Sequence, residues 1–285
     1  MTSKIKLFSH IFFCSCLVIL TGCAASRPVE PGAPEARQLA GYPVLIVRAE
    51  DRYDRVVAAW RRIANVQSGN QAGDPDLHPV TATLRALPAN APTTLKLPRV
   101  GLPDSQSMTE NETRESLRRF LANVNELLGA NIIQLSLLEV AERGNNLKTA
   151  RYEQRPFRYP LRNNYGIVEI SFTPDGRITQ FSSSGIPVDE PMRRTVNQLA
   201  PKIAAAEVGK RLLSSEGGVQ PPLAITTAEE AQPQELVIFP ILARDEPFTL
   251  ELHLAWEVRL QRSGSAVQIV YLDALTGEIL DTANS

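Results

Sequence analysis

The chain has 285 residues, of which 43% are hydrophobic and 21% charged, and its 30 Lys and Arg nearly balance its 31 Asp and Glu. The formal net charge of −1 argues against a nucleic-acid-binding protein, which typically carries a clear excess of basic side chains. The length is sufficient for a hydrophobic core that needs no disulfide, and two modest domains fit it better than one.

The first 22 residues are typical of a secretory signal peptide. Lys4 and Lys6 precede an apolar run over 7–20, which is too short for a comfortable bilayer span. Residues 20–23 read Leu-Thr-Gly-Cys and resemble the lipobox of bacterial lipoproteins. This resemblance implies cleavage before Cys23 and attachment of lipid to its sulfur, whereas the alternative is an ordinary signal peptide with an incidental cysteine.

Cysteine usage agrees with export and lipidation. Cys14 and Cys16 lie within the signal, so the mature protein keeps only Cys23 and can form neither an internal disulfide nor a cysteine metal cluster. Ala24, and not Asp, follows Cys23, which by resemblance to enterobacterial lipoproteins implies the outer membrane. We therefore expect a protein of the bacterial cell envelope that is held to the membrane through Cys23, faces the periplasm and binds no nucleic acid.

The N-terminal third gives weak signals. Residues 23–41 are rich in Pro, Ala and charge without an apolar period, which indicates a flexible tether. Residues 43–47 are compatible with a strand, and 51–66 place apolar side chains near helical spacing but also alternate well enough for a strand. Residues 78–100 predict two strands joined by a loop. No motif identifies the fold of the whole segment 42–105.

The clearest predicted element is a helix from Thr109 to Gly129. Thr109 and Glu112 occupy the positions of a capping box, in which each side chain binds the backbone N–H of the other residue. Gly129 supplies the left-handed residue that ends a helix. Apolar residues recur three and four positions apart and form one face: Leu117, Phe120, Leu121, Val124, Leu127 and Leu128.

Runs with a period of two follow this helix and define a first unit over 106–188. Its predicted strands span 132–143, 147–162, 165–173 and 178–185. The pattern recurs in a second unit over 189–285, where a predicted helix at 199–218 precedes strands at 234–244, 248–262, 266–274 and 277–282. The fold class is therefore α+β, with two units that each pack a helix on an antiparallel sheet.

Both units contain segments that resemble known domains. The first unit resembles the fungalysin/thermolysin propeptide domain through FLANVNELLG, ARYEQRPFRYPL and GIVEISFTPDGRI. The second resembles the PepSY domain, which follows that unit in propeptides of thermolysin-like metallopeptidases, through PKIAAAEVGKRLL, ELVIFP, LAWEVRL and VYLDALTGEIL. The likeness covers residues 110–285. It implies a protein-binding module that inhibits a peptidase or guides its folding, and the alternative is a structural or assembly accessory of the envelope.

The sequence gives no sign of catalysis. The His-Glu-x-x-His motif of those metallopeptidases is absent from the chain. Its histidines, His10, His78 and His253, have no second His or Cys at metal-ligand spacing, and His253 is predicted to be a half-exposed strand residue. We expect no catalytic residue, no metal, no other cofactor and no small-molecule substrate.

Two stretches are candidates for partner binding. Residues 151–162 are either a recognition edge with Arg155 and Arg158 at its centre or a strand whose aromatic side chains cover the helix, and the alternation favours the second reading. Residues 248–282 form a meander whose apolar side chains should cover the second helix. With no further domain after it in the chain, its other face or a free edge is the expected docking surface, through the outward residues Glu251, Glu257, Arg259 and Gln261.

Overall fold

The structure is a computed structural model that describes residues 41–68, 73–88, 95–100, 108–144, 146–214, 225–261 and 266–284. The predicted signal peptide, Cys23 and the tether up to residue 40 lie outside these ranges. The helices are α1 (Glu50–Ser68), α2 (Glu110–Asn123), α3 (Asn125–Leu128), α4 (Glu190–Asn197) and α5 (Ala205–Leu213). The strands are β1 (Val44–Val47), β2 (Asp76–Leu77), β3 (Leu84–Ala86), β4 (Leu135–Arg143), β5 (Leu147–Gln154), β6 (Ile167–Phe172), β7 (Ile178–Ser183), β8 (Ala231–Leu242), β9 (Thr249–Leu260), β10 (Gln268–Asp273) and β11 (Ile279–Asn284). None of the helices in the described ranges has both the length and the apolar character that crossing a bilayer requires.

The first sheet is antiparallel, in the order β4-β5-β6-β7, and α2 and α3 pack on one face. The predicted capping box is confirmed, because the Glu112 N–H donates to Thr109 Oγ1 at 3.4 Å and the Thr109 N–H donates to Glu112 Oε2 at 2.8 Å. The helix is interrupted at Val124 and ends at Gly129, whose φ of 71° is left-handed. Every apolar residue predicted for its inner face is buried.

A β-bulge keeps the apolar side chains of β4 on the side of the helix. The register with β5 shifts between Leu137 and Glu139, so Leu138 is the extra residue. Because side chains alternate between the two faces of a strand, Val140 would otherwise point away from the core. With the bulge, both Leu137 and Val140 pack against the core.

The N-terminal segment joins both sheets. The helical interpretation of 51–66 is confirmed by α1, whose Trp60 is buried in the core of the first sheet. Further along, the Ile178 N–H of β7 donates to the Leu95 carbonyl and the Leu97 N–H donates to the Gly176 carbonyl, both at 2.8 Å. The chain that follows β3 therefore pairs with the turn before β7 and with the first residue of that strand.

In the second sheet β9 is the central strand. The full length of β8 pairs with one side, while β1 and β10 pair end to end with the other side, all antiparallel. β11 pairs with β10. The predicted strand at 43–47 is confirmed as β1. Because β9 has neighbours on both sides, strand-edge docking on 249–260, one form of the predicted interaction, has no free edge there.

Two helices cover the inner face of this sheet. The predicted apolar side chains of β9 pack there, with Leu250, Leu252 and Leu254 near Val196 of α4, and Val258 and Leu260 near Val208 and Leu212 of α5. The helix predicted at 199–218 begins later in the structure, where α5 spans Ala205–Leu213. Residues 215–218 of that prediction lie outside the described residues. The other helix, α4, was not predicted from the sequence; it has eight residues, and Asp189 caps it by accepting the Met192 N–H at 2.8 Å.

A connecting segment links the two sheets. The strand predicted at 147–162 ends at Gln154, after which Phe157 and Leu161 are buried in the core of the second sheet. Leu161 forms a parallel bridge with Ile238 of β8, and the Ile238 N–H donates to the Pro160 carbonyl at 2.8 Å. The prediction of an α+β fold with helices on antiparallel sheets is confirmed.

Candidate functional site on the outer face of the second sheet

The face of the second sheet opposite α4 and α5, called the outer face below, displays alternate side chains of β9. Val237 and Phe239 of β8 are buried on it beside Ala255. The predicted partner-binding residues Glu251, Glu257 and Arg259 also lie on it, and Gln261 follows the end of β9 and is exposed.

His253 lies in this face between two carboxylates. Its Nδ1 is 2.8 Å from Oδ2 of Asp273 and its Nε2 is 3.1 Å from Oε2 of Glu251. The residue is only 7% exposed, so the prediction of a half-exposed strand residue is wrong. A buried imidazole needs hydrogen-bond partners, and β10 supplies one of them from a part of the chain that local sequence patterns do not connect with β9.

Asp273 is the centre of the polar network. Its Oδ2 also accepts a hydrogen bond of 2.7 Å from the hydroxyl of Tyr42. Its Oδ1 accepts the backbone N–H groups of Leu275 and Thr276, both at 2.8 Å, which orders the turn after β10. The carboxylate is fully buried, and these hydrogen bonds compensate for its loss of water.

The pKa values in the network shift in directions that fit these contacts. Burial by itself raises the pKa of Asp273, but hydrogen bonds from His253, Tyr42 and the Thr276 backbone hold that pKa below its usual value. Burial lowers the pKa of His253, yet Asp273 and Glu251 together raise it above its usual value. Burial and the Asp273 carboxylate both raise the pKa of Tyr42. The network therefore favours an ionised Asp273, a protonated His253 and a neutral phenol.

The chemistry of this arrangement is structural. In serine hydrolases a His–Asp pair orients a general base whose second ring nitrogen faces a nucleophile. In this network, Nε2 of His253 faces the carboxylate of Glu251 instead. The hydroxyl of Tyr42 also accepts the Leu254 N–H at 3.1 Å, so the network ties the residues before β1 to β9 and β10. Within the described ranges, no group of three or more His, Cys, Asp or Glu side chains is arranged to hold a metal ion.

A second polar cluster connects the outer face to the segment that follows β5. Nε of Arg162 donates to Oε2 of Glu257 at 2.8 Å, and its Nη2 binds Glu235 of β8. The hydroxyl of Tyr271 lies 3.5 Å from the same Glu257 oxygen. Burial by itself lowers the pKa of Arg162, but the hydrogen bond and charge of Glu257 raise it overall. Glu257 therefore serves as an internal contact between the two sheets.

The residues predicted for docking on the second sheet do not form one open surface. Glu251 is held by His253, and the Glu257 side chain is only 18% exposed. Arg259 is half-buried, and the Gln261 N–H donates to the Glu230 carbonyl at 3.0 Å. A docking role of these residues stays a prediction, and for Glu251 and Glu257 it would have to compete with contacts inside the protein.

The candidates in the first unit are exposed. Nε of Arg155 is 2.8 Å from a carboxylate oxygen of Glu153, and the guanidinium of Arg158 lies 5.1 Å from the centre of the Tyr159 ring. β5 pairs with β4 and β6, so residues 151–154 have no free edge, and the recognition-edge hypothesis is wrong for that part; Arg155 and Arg158 follow the end of the strand. The buried ring of Tyr152 agrees with the alternative reading, in which aromatic side chains cover the helix. A docking role for Arg155 and Arg158 stays a prediction.

A groove beside β4 was not predicted from the sequence. It has a volume of about 430 Å³ and lies between β4 and the first turns of α2. Its lining side chains are Glu110, Thr113, Arg114, Leu137, Leu138, Glu139, Val140, Glu142 and Lys148. The sequence contained one signal for this groove. Leu138 interrupts the alternation of apolar and polar residues in β4, which indicates a bulge, and a bulge exposes its extra residue.

Large apolar side chains are exposed near the ends of both sheets. Leu138 is 48% exposed and Ile133, just before β4, is 85% exposed. In β1, Leu45 is 48% and Val47 is 64% exposed. Contiguous groups of exposed apolar side chains mark interaction surfaces, and an edge strand can pair with another chain.

The comparisons with known proteins stop short of a family. No family model matches the chain, and no curated protein sequence matches it. A solved structure to which it is similar is the Bacillus megaterium YpeB C-terminal domain, at 15% sequence identity and a TM-score of 0.31, over 84% of this chain and 98% of that chain. The propeptide and PepSY resemblances of the two units therefore stay expectations from their sequence segments.

Proposed function

We propose that this protein is a non-catalytic lipoprotein of the bacterial cell envelope that binds another protein, with a peptidase as the expected partner. The observation that carries the proposal is the exposure of large apolar side chains at strands that border the two sheets, above all Leu138 and Val47. Such groups are costly in water unless a partner covers them.

The state of the chemically active side chains supports a binding role. On the outer face His253 and Asp273 bond to each other, and Arg162 bonds to Glu257. These groups hold strands and segments together, and Nε2 of His253 is directed to a carboxylate and not to a nucleophile. Inhibition or guided folding of a peptidase is suggested by the resemblance of the two units to propeptide domains.

The lipid anchor is supported by the sequence around Cys23. We expect Cys23→Ala to give an unlipidated precursor or a soluble periplasmic form, because the thioether requires that sulfur. Cys16→Ala is a matched control, since it removes a cysteine within the signal and should leave the protein in the outer-membrane fraction. A Cys23→Ala protein that loses its signal and still sediments with membranes at high salt would contradict the anchor.

Partner binding is tested in native membranes. A photo-crosslinking amino acid placed at Leu138 or Val47 should capture a specific protein, which mass spectrometry identifies as a peptidase or as a component of envelope assembly. The same probe at Asp54, an exposed residue of α1, is the control. Equal capture at all three positions, or at none, would overturn the binding function. Specific capture of a component of envelope assembly would support binding but would contradict a peptidase as the partner.

A further inference from the structure

The two outer strands of the first sheet differ in a way that suggests where a partner binds. The outer side of β7 is occupied at its first residue, where the Ile178 N–H donates to the carbonyl of Leu95 in the chain after β3. β4 pairs with β5 on one side, and no residue that the structure describes pairs with its other side. An edge strand directs about half of its backbone N–H and carbonyl groups outward, where another extended chain can pair with them.

The groove defined above runs along this edge. A strand added to β4 would lie next to the first turns of α2, and its alternate side chains would enter the groove over Leu137 and Val140. The volume of about 430 Å³ lies within the range of ligand sites. Leu138, the bulge residue, adds an exposed apolar contact at the rim.

The charges of the groove favour a basic occupant. Its lining contains three carboxylates, Glu110, Glu139 and Glu142, and two cations. Arg114 is already bound to Glu110 at 2.7 Å, and Lys148 is 4.0 Å from Glu142. Among the described contacts, no hydrogen bond or ion pair holds the carboxylate of Glu139. The register sets Glu139 opposite Arg151, which pairs with Glu169, on the face away from α2. A basic side chain that a partner strand directs to that face would therefore meet a carboxylate that no ion pair holds.

The other candidate surfaces give weaker support for a docking site. β1 exposes Leu45 and Val47 but has only four residues, whereas β4 has nine residues and a groove beside it. The polar clusters on the outer face are satisfied within the protein. The charged residues and the bulge of β4 could equally protect a bare edge from unwanted pairing, which is the alternative that an experiment must separate.

We propose that β4 binds an extended, basic segment of a partner protein, which adds to the first sheet as a fifth strand and places side chains in the groove beside α2. The inference rests on the proposed protein-binding function and specifies its surface and the chemistry of the partner. Backbone pairing supplies affinity in such complexes, and the side chains in the groove supply selectivity.

Synthetic peptides test this proposal without knowledge of the partner. The probes are a nine-residue peptide of alternating lysine and valine, its glutamate–valine counterpart, and a copy of the first that is N-methylated at its three central residues. Binding to the mature lipoprotein in detergent is measured by fluorescence anisotropy and amide hydrogen exchange. We expect at least tenfold tighter binding of the lysine peptide than of the glutamate peptide, loss of binding on N-methylation, and slower exchange in 135–143 but not in 178–183.

Charge-reversal variants test the groove itself. Glu139→Lys with Glu142→Lys should weaken the lysine peptide at least tenfold, since both side chains are exposed and line the groove. The control is Asp54→Lys with Asp245→Lys, which makes the same charge change at exposed residues elsewhere. Equal weakening by both pairs, protection at β1 or β11, or no binding by any peptide would overturn the proposal.

The outcomes also separate this inference from the proposed function. If the peptides fail and crosslinking in membranes captures a protein at another surface, β4 is not the docking edge although the protein-binding function stands. If the peptides bind as expected and no protein is captured in membranes, the edge chemistry is supported and the proposed function fails.

Discussion

The hydroxyl of Tyr42 donates a hydrogen bond of 2.7 Å to the carboxylate of Asp273, across 231 positions of the chain. Tyr42 precedes β1 and Asp273 ends β10, so the bond joins two strands that lie end to end beside β9. The same hydroxyl accepts the Leu254 N–H from β9. One phenol therefore positions the N-terminal strand against the centre of the second sheet.

Removal of this hydroxyl should destabilise the protein. Tyr42→Phe leaves the buried Leu254 N–H and one lone pair of Asp273 without their partner, and we expect a loss of about 1–3 kcal/mol in the free energy of unfolding. Tyr53→Phe is the control, because its ring packs near Arg48 and it should change the free energy by less than about 0.5 kcal/mol. Urea denaturation measures both, and equal effects would show that the Tyr42 hydroxyl is not special.

Deprotonation of His253 should lower the stability of the protein as the pH rises. The pKa of His253 in the folded protein lies above the ordinary 6.5, so its contribution is fully present below 6.5 and is lost as the pH rises through the folded pKa. His253→Gln should remove this decline. We would measure the free energy of unfolding from pH 5.5 to 9, and an unchanged decline in His253→Gln would contradict the assignment.

His78 should change the stability with pH in the opposite direction to His253. Burial, assisted by Arg85, lowers the pKa of His78 below the ordinary 6.5. Its protonation opposes folding, so stability should fall as the pH drops below 6.5 through the folded pKa. His78→Gln should remove this acidic limb and leave the decline above pH 6.5 intact. A variant that alters both limbs equally would indicate a general loss of structure.

The ion pair of Arg162 and Glu257 should stabilise the connection between the two sheets. A double-mutant cycle with Arg162→Gln and Glu257→Gln should give a coupling energy of about 0.5–3 kcal/mol, since the side chains are 28% and 18% exposed. The pair Arg118 and Glu115 has the same 2.8 Å distance at 64% and 32% exposure and should give a smaller coupling energy, because water screens exposed charges. A smaller coupling for the first pair than for the second would refute this role and restore Glu257 as a surface residue.

A helix position should prefer glycine to alanine. Gly209 lies inside α5, where alanine is intrinsically better by about 1 kcal/mol. A Cβ at this position would lie 2.3 Å from the carbonyl oxygen of Ala228, a backbone atom that cannot easily move. We expect Gly209→Ala to destabilise the protein by about 1–3 kcal/mol in thermal or urea unfolding. For Gly144→Ala a Cβ meets nothing within 4 Å, so a similar loss there would contradict the steric explanation.

Local elements were predictable because their causes lie within a few residues. The capping box of Thr109 and Glu112, the apolar face that follows it and the left-handed Gly129 depend on neighbours three and four positions away. The alternation of β9 likewise indicated which of its side chains are buried under helices. The short helix α4 was not predicted because it buries only Val196 and so has almost no apolar period.

The tertiary structure decided which strands are neighbours and which polar groups are buried. Nothing around 43–47 indicates that β1 pairs with β9, because the energy of that pairing comes from residues some 200 positions later. His253 was predicted to be half-exposed because its partner Asp273 becomes a neighbour only when β9 and β10 pair. The edge of β4, which no described residue pairs with, has the same origin. The break in alternation at Leu138 is visible in the sequence, but whether an edge is covered depends on where the rest of the chain runs.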